Sequence, residues 1–176
     1  MSAMSSGAVR QPFTHLADGP GRGPRAAGLV ATAGFAAGGL LMLWSAYIHF
    51  HLWDEPLGYR SIPIIGPLFL LQAVGGLVLG LAVIAVRRVW SAICGIGYAI
   101  STLVGFLLSV ELTKGLFNFK ESWAAPFAHQ ALAIEIAAVV VLALAAALCV
   151  AGARRSAVTT GLSSPDASRQ RDRSRV

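Results

Sequence analysis

The sequence predicts an all-α protein, a transmembrane four-helix bundle with flexible cytoplasmic tails at both ends, and three observations carry that reading. Of its 176 residues, 56% are hydrophobic and only 12% charged, about half the charged share of a soluble domain. Mean hydropathy is +0.68. The charges are segregated, so that long stretches carry none or one. The basic residues are segregated again, into the two ends and one tight connection.

The elements follow in order. Residues 1–25, with GAVRQPFTHLADGPGRGPR, are polar and rich in helix breakers and read as a flexible tail. The first apolar run after them is longer than the core of a cleaved signal peptide. Span one covers residues 26–48 without a charge, enough to cross hydrocarbon about 30 Å thick at about 1.5 Å per residue. Span two is read from 67 to 86, because Pro67 in IPIIGP would break a helix already under way. Span three covers 89–110, after Arg87 and Arg88, and span four covers 127–153 with one acidic residue, Glu135. Residues 154–176 are polar and basic and read as a second flexible tail.

Orientation follows from the excess of Lys and Arg in cytoplasmic segments. Arg10, Arg22 and Arg25 precede span one, Arg87 and Arg88 separate spans two and three, and Arg154 and Arg155 follow span four. The other two connections hold Arg60, Lys114 and Lys120, offset by Asp54, Glu55, Glu111 and Glu121. Both termini are therefore expected in the cytoplasm of a cell whose plasma membrane holds the protein. Trp53 and Trp123 on the outer side and Trp90 on the inner side fit an aromatic belt.

The net charge of +6 and isoelectric point near 10.2 do not indicate nucleic acid, because the arginines sit where they orient a membrane protein. No GxxxxGKS/T, no GxSxG and no strand–helix alternation supports a soluble nucleotide-binding protein or hydrolase. Membrane lipid is the expected surrounding, with a homo-oligomer or a larger membrane complex as the expected protein partner. In lipid, helices associate through small residues that allow close approach. Each span offers a stripe: Gly34 and Gly38, Gly76 and Gly80, Gly97 with Ser101 and Gly105, and Ala143 with Ala147 and Ala151. Cys94 and Cys149 are expected at similar depth, as small packing residues or as a thiol pair.

Spans one and three end on the outer side, where spans two and four begin. One region thus collects His49, His51, Asp54, Glu55, Arg60, Glu111, Lys114, His129 and Glu135. Glu135 lies nine residues past Pro126, about 13 Å along a helix. It should face the bundle interior with a partner, or else span four starts near Ala131 and the helix dipole favours it in a first turn. His49 and His51 point about 200° apart on a helix but share a side if the chain is extended there. In the extended case His49, His51, His129 and Glu135 are candidate metal ligands, with Glu111 as a further one, for copper, zinc or haem iron. Gln72 is a polar group inside span two that needs a hydrogen-bond partner, in helix packing or at a ligand. Asp54 and Glu55 read as a solvated turn, and Arg60 either snorkels or pairs with it.

The runs GYRSIPIIGPLFLLQAVGGLVLG (58–80) and GLFNFKE (115–121) resemble small four-span membrane proteins of actinobacterial type. The four-helix size is also similar to that of DoxX-type membrane proteins. The resemblance implies a multi-pass membrane protein and assigns no catalytic residue.

Three functions are in play. The first is a structural or accessory membrane protein, or a subunit of a larger complex, and not an enzyme. The second is an outward-facing site for a metal, haem or quinone built from His49, His51, Arg60, Gln72, Glu111, His129 and Glu135. The third is a small proton-coupled transporter using Glu135.

Overall fold

A computed structural model describes residues 25–55 and 58–162. Four helices dominate them: α1 (Arg25–Asp54), α2 (Ile65–Val86), α3 (Val89–Glu111) and α4 (Ala128–Leu162), with a 3-10 turn at Tyr59–Ser61. All four are long and apolar enough to cross a membrane. The shortest, α2, has 22 residues, about 33 Å of helix. The fold is all-α and fits a multi-pass membrane protein. Its outward surface suits lipid: Leu29, Leu71 and Leu144 are each more than 60% exposed.

The helix ends depart from expectation where hydropathy and helix breakers disagree. α1 continues past Ile48 to Asp54. Nothing in YIHFHLWD breaks a helix, and the stop comes only before Pro56, a residue type that disfavours helix at the position preceding it. The extended geometry that would let His49 and His51 share an ion is therefore absent. α2 begins at Ile65, with Pro67 in its first turn, where a missing N–H costs nothing. Just before it, Ile65 N–H donates to the Pro63 carbonyl at 2.8 Å and Ile64 holds φ 68°. That γ-turn on a β-branched residue stores about 1–3 kcal/mol of strain. α4 runs on to Leu162, so residues 154–162 are helix, not tail. RRSAVTT carries no breaker before Gly161. The expected tails at 1–24 and 163–176 lie outside the described residues.

α1 packs against both α2 and α4, α3 packs against α4 and α2, and α1 and α3 sit on the diagonal. Glycine makes the first two contacts. A Cβ at Gly34 would lie 2.9 Å from Ala145 Cβ, and one at Gly38 would collide with Leu142, both on α4. One residue further round, a Cβ at Gly39 would lie 2.8 Å from the Gly80 carbonyl on α2. Gly95 of α3 receives Leu142 and Met42. The stripes read in spans three and four behave differently. Gly97 and Gly105 have nothing within 4 Å of an added Cβ, and Ala143, Ala147 and Ala151 are exposed. Cys149 is buried while Cys94 is exposed, and both are free thiols.

The core is concentrated toward the Arg87–Arg88 end. Phe35, Met42, Val83, Ala92, Ala138 and Leu142 fill it almost without exposure. The opposite end, which carries the 55–65 and 111–128 connections, is built differently and holds the candidate site.

Gly39→Val is expected to destabilise the bundle by about 1–3 kcal/mol, because it forces backbone apart from backbone. Gly97→Ala should leave the bundle as stable or raise its stability by up to about 1 kcal/mol, because nothing crowds the added methyl and alanine is the better helix former. Unfolding midpoints of the two variants in one detergent check both.

Candidate functional site

The helical repeat of α1 brings Ser45 and His49 onto the same buried stripe, four residues apart. His49 Nδ1 lies 2.9 Å from the Ser45 carbonyl oxygen. That oxygen can only accept, so Nδ1 carries the proton and Nε2 is the ring's remaining acceptor. The Ser45 hydroxyl donates to Glu135 Oε1 on α4. Glu135 is 1% exposed, two turns inside α4 rather than in its first turn, so the interior placement holds and the helix-dipole alternative does not. Its second oxygen, Oε2, is buried with no hydrogen-bond partner. An unpaired buried carboxylate oxygen is costly, by about 1–3 kcal/mol or more.

Glu135 is among the residues that line a cavity of about 450 Å³, within the range of small-molecule sites. On the α1 and α4 side, His49 and Glu135 are set among Ile48, Leu52 and Leu132. On the α2 and α3 side, Gln72, Ser101 and Thr102 stand among Phe69, Leu103 and Phe106. The Ser101 and Thr102 hydroxyls both donate to the Tyr98 carbonyl, at 2.7 and 3.1 Å, leaving their lone pairs free to accept. Beneath the cavity, Tyr98 donates to the Gln72 carbonyl at 2.8 Å and ties α3 to α2. The interhelical hydrogen bond at Gln72 is thus made by its backbone carbonyl, and the residue lines the cavity.

The two connections close the cavity at its end. Tyr59 stacks on Phe69 with ring centroids 4.3 Å apart and meets Phe119 edge-on at 5.6 Å. Its hydroxyl donates to Glu121 Oε2 at 2.8 Å, and Glu121 N–H donates to the Ser109 carbonyl at 3.1 Å. Phe119 is presented by a tight hairpin in which it exchanges two 2.9 Å backbone hydrogen bonds with Leu116. Phe117 and Asn118 both have positive φ there, the I′ geometry that matches strand twist.

On the α2–α3 side the enclosure is incomplete. Leu71 is 66% exposed and Ser101 is exposed, yet both line the cavity. Gly105 lines it too, and offers open space to an added Cβ.

Of the residues singled out from sequence, the structure brings His49, Gln72 and Glu135 together at the cavity. It does not bring the others. His51 lies on another face of α1, paired with Glu55 at 3.0 Å and stacked on Tyr47. Arg60 is exposed, 3.9 Å from Asp54 and over the Trp53 ring. Glu111 is exposed at the end of α3, and exposed His129 faces Trp123 at 6.2 Å. Among the described residues no three His, Cys, Asp or Glu side chains could hold a metal ion, so the proposed metal set of His49, His51, His129 and Glu135 does not assemble. Ser45, Tyr59, Tyr98 and Glu121 were missed. Only Ser45 had a readable signal, its four-residue spacing from His49.

No family model, no curated protein and no solved structure matches the chain.

Burial and then the Glu121 carboxylate push the Tyr59 phenol above its ordinary value. The folded chain therefore keeps this proton where an unfolded chain releases it, and stability falls as pH rises above about 10. Unfolding midpoints measured from pH 8 upward should decline in that range, and the decline should be shallower in Tyr59→Phe. Equal slopes would show that the roof contact does not govern the phenol.

Proposed function

We propose that this protein is a membrane-embedded binding protein for a small amphipathic molecule, held in the cavity between the four helices. The observation that carries this reading is Glu135, which lines a cavity of about 450 Å³ while its Oε2 is buried without a partner. Within a bundle otherwise sealed by glycine and aliphatic packing, such an atom is a liability to the fold. It becomes useful when a ligand donates to it. The apolar lining would take the body of the ligand, and the Ser45–His49–Glu135 group would fix its polar head.

The sequence offered quinone, metal and haem for such a site. The separation of His51 and His129 from Glu135 favours an organic ligand. A proton-coupled route gains no support, because toward the Arg87–Arg88 end the axis is filled by Met42, Val83 and Leu142. The accessory-subunit reading keeps one favouring observation. Ala143, Ala147 and Ala151 form an outward stripe with no use inside the chain.

In a cell, the Arg87–Arg88 connection and the exposed Arg154 and Arg155 would face the cytoplasm, and the cavity would lie in the outer half of the membrane. With Cys94 and Cys149 replaced by serine, a cysteine at Lys114 should react with an impermeant maleimide on intact cells. One at Arg88 should react only after permeabilisation. The reverse pattern would overturn the orientation.

Glu135→Leu is expected to unfold at the same temperature as wild type or above it, because it removes the unpaired oxygen. Native mass spectrometry of the detergent-released wild type should retain a small organic mass that this variant lacks. A ligand-free wild type that also binds no added amphiphile would overturn the proposal.

A further inference from the structure

Given an amphipathic molecule in the cavity, on which the assignment below the roof rests, three features constrain its class and its route of entry. The first is the location of the gap. Leu71 lies six residues into α2 and Ser101 ten residues before the end of α3, about 9 and 15 Å along their helices. The gap between α2 and α3 therefore opens within the apolar band and faces lipid, whereas the roof of Tyr59, Phe119 and Glu121 closes the end that faces water. A molecule reaching this cavity through that gap is already dissolved in the bilayer.

The second feature is shape. The stacked Tyr59–Phe69 pair and Phe106 make flat apolar walls, which favour a planar ring over a branched or two-chain lipid. The third is the distribution of polar atoms. Glu135 and His49 stand on the α1 and α4 side. On the α2 and α3 side stand Gln72, Ser101 and Thr102. Hydrogen-bonding groups on two opposed walls match a ring with oxygens at opposite positions. A molecule with a single polar head satisfies only one wall.

The geometry points to a lipid-soluble para-hydroquinone as the ligand, one hydroxyl donating to Glu135 Oε2, the ring held against Phe69 and Phe106, and the tail leaving between α2 and α3. The second oxygen meets Gln72 or Ser101. Gly105 keeps the gap open, because any side chain there would grow into free space at the cavity wall. Only binding is assigned; no electron transfer is part of the inference.

The test uses the full chain in lipid nanodiscs and three probes: a decyl-substituted para-hydroquinone kept reduced, decylbenzene, and hydroquinone without a tail. Thermal stabilisation and tryptophan fluorescence report binding, since Trp123 lies edge-on to Phe106 at 5.2 Å. The decyl hydroquinone should bind at least about tenfold tighter than decylbenzene, the loss expected when buried acceptors go unpaired. Glu135→Leu should erase that difference. Gly105→Leu should weaken the decyl hydroquinone by about tenfold or more, while Gly97→Leu, on the same helix but away from the cavity, should not. Equal binding of decyl hydroquinone and decylbenzene would overturn the head-group assignment and leave the amphiphile reading standing. Equal binding by wild type and Gly105→Leu would overturn the lateral route. Should no probe bind while a different small molecule copurifies with the wild type, the hydroquinone is the wrong class. Failure of every probe together with a ligand-free wild type would remove both readings.

Discussion

Helix α1 can serve two neighbours at once because it carries glycine on two adjoining faces. Gly34 and Gly38 admit α4, and Gly39 admits α2. In lipid there is no solvent-driven gain from burying leucine against leucine, so close approach is what holds such helices together. The rest of the architecture depends on this asymmetry along α1. Where the glycines lie, the bundle is solid. Beyond them α1 continues through Ser45, Ile48, His49 and Leu52, and α2 answers with Phe69 and Gln72. Bulk replaces glycine, and the same four helices surround a cavity.

Polarity follows the same division. The solid half contains almost no buried polar side chain, apart from Ser91 near the start of α3, whose hydroxyl donates to the Arg88 carbonyl at 2.7 Å. The cavity half concentrates Ser45, His49, Ser109 and Glu135. Ser45 links two of the others, bonding its own helix through its carbonyl and α4 through its hydroxyl. The network is satisfied up to its last atom, Glu135 Oε2. A partly satisfied polar network is worse for folding than an apolar core, so the missing partner makes this oxygen a cost to stability.

Much of the fold was legible because a bilayer makes a simple demand: about 20 apolar residues per crossing and every backbone group bonded within the segment. The four spans and the inward placement of Glu135 follow from that alone. Helix ends were less legible. Loss of hydropathy ends a span, whereas a helix runs on until a breaker such as Pro56 approaches, and α1 and α4 both continue several residues past the expected ends of their spans. The small-residue stripes were over-read. In a helix as rich in alanine as α4, four-residue spacing occurs on every face, so Ala143 looked as eligible as Ala145, and only Ala145 meets α1. The cavity was not legible at all. It depends on Tyr59 finding Glu121, 62 residues away, and no local pattern encodes that meeting.

The unbroken run of α4 has a mechanical side. From Glu135 to Ala151 the helix contains neither glycine nor proline, and it continues to Leu162, about 40 Å beyond the carboxylate. A rod of that length is a lever. A tilt of about 5° pivoting at Glu135 would displace the Leu162 end by roughly 3.5 Å at that reach, so a shift at the cavity wall too slight to see locally arrives at the opposite face of the membrane magnified.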